Sequence, residues 1–141
     1  MKFRYRKFPN NNPSKAIPDK AFLVPQILIR MLNGVEHIDC YALIDSGAAD
    51  CLFPAEFGEN IGIEKIKNDR EHIFYGIGEG HIIAYFHNID IEIGGHRYNI
   101  PVGFTYDNLK VPLLGQRGFF DLFTITFDLS KEEIELKQKI N

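Results

Sequence analysis

At 141 residues the chain is long enough for one domain with a real core and short for two. The formal net charge is −3, Phe and Tyr number 12 and 6 while Trp is absent, and no apolar run approaches the roughly 20 residues that a membrane-crossing helix needs. A helical membrane protein is thereby set aside, and the mildly acidic balance makes the chain as a whole a poor match to nucleic acid.

The first element is a basic arm. Residues 1–20, "MKFRYRKFPNNNPSKAIPDK", carry Lys2, Arg4, Arg6, Lys7, Lys15 and Lys20 against Asp19 alone, which leaves 10 of the 16 basic and 18 of the 19 acidic residues for the rest. The arm has no apolar stretch of the secretory-signal kind. Such an arm is most often a solvated tail; binding nucleic acid and folding back on its own domain are the other readings. Prolines and asparagines crowd residues 9–18, a linker composition, so the domain is expected over 21–141.

From there the chain reads as β. "ILIRMLNGVEHIDCYALI" sets Asn33-Gly34 between two apolar runs, a strong hairpin signal. The second run ends in "YALIDSGAADCLFP", residues 41–54. There an apolar strand delivers Asp45 to a turn, and the strand-like "CLF" leaves it. Gly47 lets the backbone turn tightly enough for its amide to reach the Asp45 carboxylate, and Ser46 adds a hydroxyl that donates or accepts. Taken alone, Asp-Ser-Gly is equally an Asx-capped turn. A short helix is predicted from Pro54 to about Ile61, with Pro at its start and Gly62 past its end.

"FYGIGEGHII", residues 74–83, places Gly76, Gly78 and Gly80 between strand-like flanks, the composition of a hairpin tip that closes over a ligand. No helix start and no Lys-Ser/Thr follow, which weakens a phosphate cradle. "NIDIEIGGHRYNIPV" is a second hairpin around Gly94-Gly95. Ile89, Ile91 and Ile93 share one face there, and Tyr98, Ile100 and Val102 alternate on the partner strand. "VPLLGQRGFFD", residues 111–121, puts Gly115 after two leucines and before a second predicted helix over 118–123. "TITFDLSKEEIELK" is a third hairpin.

The order of three elements, "ALIDSGA", the glycine-rich hairpin and Leu-Leu-Gly, resembles the single-domain retropepsin-like aspartic proteases over roughly Phe22 to Lys137. The resemblance implies an all-β acid-protease fold: a closed, barrel-like sheet with one or two short helices and a β-hairpin flap. It implies a homodimer in which each chain gives one Asp-Ser-Gly. On that pattern Asp45 is the catalytic aspartate and Ser46 braces the paired loop. Gly47 and Ala48 line the cleft, Tyr75, Gly76, Ile77, Gly78 and the residues to Gly80 form the flap, and Gly115 packs on the Asp45 loop. The implied activity is peptide-bond hydrolysis by two Asp45 carboxylates, one per subunit, with no cofactor or metal; the unpaired cysteines and the lack of a secretory signal place the expected protein in the cytoplasm. The substrate is a peptide or protein.

The sequence also departs from that pattern. Many relatives carry an Arg after the second glycine and an acid directly after the small residue that follows Asp-Ser/Thr-Gly, paired near the dimer interface; Gln116 and Ala49 stand there. Both partners are missing together, so no charge is stranded, and Arg117 and Asp50 are candidates for a substitute pair. Their absence favours an alternative, a proteolytically inactive dimeric interaction module of the same fold. The retained Asp45-Ser46-Gly47 favours the enzyme. A nucleic-acid-binding β domain rests on the basic arm alone.

The remaining polar residues take plainer readings. The five histidines lack zinc-site spacing. Asp39, Asp50, Asp90 and Asp128 read as turn or solvent-face residues, and Phe119-Phe120 as core. Cys40 and Cys51 read as buried free thiols. Cys51 lies near the Asp45 loop, but a nucleophilic role would need a base that no residue supplies.

Overall fold

Strict alternation of isoleucines along residues 89–93 buries one face of a long strand, and that strand organises the molecule. The computed structural model describes residues 1–76 and 80–140. In chain order the strands are β1 (Lys2–Arg4), β2 (Arg6–Pro9), β3 (Ala21–Val24), β4 (Gln26–Asn33), β5 (Glu36–Ile44) and β6 (Cys51–Pro54). After the helix α1 (Ala55–Asn60) come β7 (Glu71–Tyr75), β8 (His81–Ile93), β9 (His96–Thr105), β10 (Leu113–Leu114), β11 (Phe123–Asp128) and β12 (Glu133–Gln138).

The main sheet runs β4-β5-β10-β6-β9-β8-β7, and β4 also pairs with β8. Six strands therefore close into a ring and β7 hangs from it on β8. The all-β class and the barrel-like closure expected from the sequence are both present. Closure removes most free strand edges and encloses a core. Ile27, Ile29, Met31, Ile91, Ile93, Ile100, Phe53 and Phe104 are buried in it. Truncating a ring such as Phe104 to Ala costs about 3–5 kcal/mol.

The turn chemistry explains the hairpins. Ile93 pairs with His96, so Gly94-Gly95 is a two-residue loop with φ of +57° and +82°, values that glycine adopts without strain. In the first hairpin Asn33 pairs with Glu36, so the loop is Gly34-Val35, one residue later than the Asn-Gly signal suggests. Gly34, at φ +63°, takes the first loop position. The helix runs over Ala55–Asn60 behind Pro54, whose φ of −57° suits a helix start.

Two expectations are corrected. No helix forms over 118–123. Gly118 sits at φ +101°, off the right-handed helical path, and the amides of Phe120 and Asp121 reach back five residues to the Gly115 and Gln116 carbonyls. The segment is a run of turns pinned by buried Phe119 and Phe123. Nor are the first nine residues a solvated tail. β1 pairs with β12, and β2 pairs with β3. The Arg6 guanidinium lies over the Tyr41 ring at 3.8 Å and donates to Gln26 Oε1 at 2.9 Å. Main-chain pairing and a stacked cation outweigh the repulsion among the arm's charges. Among the described residues no helix is long and apolar enough to cross a membrane.

Candidate active site

The turn at Asp45 is held from below. β10 inserts between the two strands that flank the turn: Leu113 and Leu114 pair in parallel with Leu43 and Ile44 of β5, and Leu113 opposes Leu52 of β6. Apolar β10 can sit there because both flanking strands are apolar. The Asp45 amide donates to the Leu114 carbonyl at 3.0 Å, and the Ala48 amide to the Asp45 carbonyl at 3.2 Å. The Gly47 amide donates to Asp45 Oδ1 at 2.9 Å, as its position in the sequence suggests.

Further along, the Gln116 and Arg117 amides each donate at 2.9 Å, to the Ala48 and Ala49 carbonyls. The Gln116 side chain donates from Nε2 to the Ser46 carbonyl at 2.8 Å. The loop thus spends much of its polar backbone on one facing segment, Leu114 to Arg117. Gly115 makes this approach possible. A Cβ there would run into the Asp50 carbonyl group and lie 2.7 Å from the Ala48 carbonyl oxygen.

The substitute ion pair is present. Arg117 Nε donates to Asp50 Oδ1 at 2.5 Å, and the Asp50 side chain is only 12 % exposed. Asp50 is therefore no solvent-face aspartate. The neighbouring thiol of Cys51 is wholly buried, accepts from the Gly115 amide at 3.4 Å and faces the Arg117 carbonyl at 3.5 Å. Burial pushes this thiol up to about 11, the Gly115 amide opposing only in part. Burial likewise pushes Cys40 up to about 12, helped by the Asp39 charge. Both cysteines are free. At neutral pH Cys51 is a neutral packing group that joins β6 to the Gly115 turn, not a nucleophile.

Above the loop lies a cleft of about 640 Å³, within the usual range for ligand sites. Asp45, Gly47 and Ala48 of the turn line one part of it, the floor, and Tyr75, Gly76 and Gly80 of the β7–β8 hairpin line another, the roof. Tyr75 is 80 % exposed, so its ring is free to meet a ligand. Ser46 is exposed beside the cleft and does not line it. Ile77 and Gly78, also expected on the flap, lie outside the described residues.

Sequence reasoning missed Asp107, which lines the same cleft. Its Oδ2 accepts the Ile83 amide at 2.7 Å, and its own amide donates to Thr105 Oγ1 at 3.0 Å. Asp107 thus ties the middle of the β7–β8 hairpin, where Ile83 faces Ile73, to the end of β9. The signal available was Thr-x-Asp at a strand end, a common local turn. The other aspartates match their plain readings: Asp39 pairs with Arg30, Asp90 accepts from Asn99, and Asp128 accepts from Ser130. The Arg30 hydrogen bond holds the Asp39 carboxyl below its ordinary range.

No family model and no curated protein matches this sequence. Among solved structures, the EIAV protease complexed with the inhibitor HBY-793 is similar in fold. Its TM-score is 0.47 and its identity 16 %, over 66 % of this chain and 82 % of that one. So distant a likeness carries no chemistry; that rests on the residues of the cleft.

Proposed function

We propose that the chain is an aspartic endopeptidase that works as a homodimer, with Asp45 of each subunit forming one half of the catalytic pair. The observation that carries this reading is the Asp45 carboxylate, held by the Gly47 amide in the lining of a cleft that residues of the β7–β8 hairpin also line. One chain supplies one such carboxylate, and a two-fold axis through the loops supplies the second. Two carboxylates held close cannot both ionise, so they share one proton, as in aspartic proteases generally. The ionised member takes a proton from a water. The protonated member donates to the substrate carbonyl oxygen as that water attacks the carbonyl carbon. The tetrahedral species then collapses, its nitrogen leaving with a proton from the pair.

Ser46 fits a bracing role. Its side chain is exposed, and its hydroxyl has no hydrogen-bond partner among the described residues of the single chain. In the dimer it would meet the opposite loop. The Asp50–Arg117 pair supports the enzyme over the silent module, because it offers the loop an ion pair one residue along from the position where Gln116 and Ala49 lack it.

The test is a diverse peptide pool incubated with purified protein across a pH series. Cleavage with a bell-shaped profile peaking on the acid side of neutrality, and lost in Asp45→Asn, is the expected result. A protein that forms dimers yet cleaves nothing at any pH would favour the interaction module.

A further inference from the structure

A second hollow adjoins the cleft and shares Asp50 with it. It measures about 390 Å³ and is lined by Asp50, Arg70, Glu71, His72, Phe86 and Arg117. Its charges are not equally engaged. Asp50 is taken by Arg117 Nε, while the Arg117 guanidinium lies 5.0 Å from the centre of the Phe86 ring and its side chain stays 56 % exposed. The terminal nitrogens of Arg117 are thus left over for another acceptor. Glu71 acts on the Tyr85 hydroxyl, which burial first and then the Glu71 charge hold above its ordinary range. Among the described residues Arg70 has no carboxylate within ion-pair distance. Its main chain, in contrast, is fixed. The Arg70 amide donates to Asn68 Oδ1 at 2.9 Å, and its carbonyl accepts the Phe86 amide at 3.0 Å.

Among the described residues the hollow therefore offers Arg70, with no ion-pair partner, on a fixed backbone, and Arg117 half committed, over the buried Phe86 ring. The two guanidiniums match a carboxylate, whose oxygens they would receive, while Phe86, buried and already covered by Arg117, backs the hollow. An extended peptide rises about 3.3 Å per residue and presents alternate side chains to one face. A chain lying in the main cleft would bring an outer side chain over Asp50 and into the hollow.

We propose that this hollow is a specificity subsite that selects an acidic side chain at an outer position of the peptide substrate. The inference rests on the peptidase reading above and names the substrate class for it. Arg70 is the specificity-determining residue. Arg117 contributes but also holds the floor of the cleft, so it is not the residue to test.

The experiment uses fluorescein-labelled octapeptides of one apolar sequence that carry Glu, Gln or Lys at a single outer position, moved along the peptide. Binding is measured on the full-length Asp45→Asn protein, which does not consume the ligand, and cleavage on the wild type. At one position Glu should bind more tightly than Gln, and Gln more tightly than Lys, with about fivefold between the extremes at low salt and less at high salt. Arg70→Ala should bring the three together. Arg70→Glu should invert the order, a result that misfolding cannot produce. Equal binding of all three peptides at every position, with cleavage intact, would overturn the subsite and leave the peptidase standing. No binding and no cleavage of any peptide would overturn the peptidase, and the subsite with it.

Discussion

The floor and the roof of the cleft are built in opposite ways. The Asp45 loop on the floor is held on its own backbone by the Leu114 carbonyl, the Gln116 and Arg117 amides and the Gln116 side chain, over a wholly buried Cys51. The roof strand β7 has no fully buried residue and is hydrogen-bonded to one neighbour, β8. Near the cleft, Asp107 at Ile83 ties this hairpin to the rest of the fold. Floor stability is thus coupled to the global fold, whereas the roof belongs to the low end of local stability. The proposed peptidase would use that division: a carboxylate held in place, and a cover that admits and releases a chain.

The largest expected effect breaks the floor. Gly115→Ala drives a methyl group into the Asp50 carbonyl group, and backbone cannot move aside as a flexible side chain would. A loss of about 3–5 kcal/mol is expected, seen as a melting temperature lower by about 10 °C or more. Activity should fall with it. A fully stable Gly115→Ala protein would show that the clamp is looser than described.

A middle-sized effect sharpens the contrast from the other side. Asp107→Ala removes the acceptor of the Ile83 amide, midway along the roof hairpin. Global stability should change by about 1 kcal/mol or less. Amide hydrogen exchange at Ile83 should accelerate while Leu43 and Asp45 keep their protection, and KM should rise more than kcat falls. Equal loss of protection in both regions would mean that floor and roof open together.

The smallest effect, nil at neutral pH, is a pH slope. With Cys51 held at about 11 in the folded chain against an ordinary 9.0, the unfolded chain loses its thiol proton first. The folded state then binds more protons, so stability falls as pH rises from about 9 towards 11 and is untouched by this thiol below that window. About 1.4 kcal/mol is expected by pH 10, where the two states differ tenfold in thiol deprotonation. Denaturant midpoints of wild type and Cys51→Ala across this range provide the check. Identical slopes would show that the thiol is not sealed beneath the floor.

The same contrast governs what could be read from the chain. Hairpins and the Asp45 turn were legible because their causes are local: alternation of Ile89, Ile91 and Ile93, paired glycines at 94 and 95, and a glycine two residues past the carboxylate. The arm misled because its partners lie far off in sequence; β1 pairs with β12, Lys2 opposite Glu135. The predicted second helix failed because Gly118, read as an ordinary start, takes a left-handed conformation. The Asp50–Arg117 pair could be raised only as one option, since its members stand 67 positions apart and no local pattern joins them. Asp107 was overlooked for a like reason: its partner Ile83 is 24 residues away, on a strand whose approach depends on ring closure.

The central claim is that the catalytic pair is split between two chains, and subunit mixing tests it most directly. Wild-type and Asp45→Asn proteins are mixed at fixed total concentration, with exchange demonstrated by differently tagged chains. If each site needs one Asp45 from each subunit, activity follows the square of the wild-type fraction, and an equal mixture retains about a quarter of the full rate, by the pairing statistics of a two-fold dimer. If the second carboxylate came from the same chain, Asp107 for example, activity would fall in direct proportion and leave about half. A linear fall with proven exchange would contradict the shared pair.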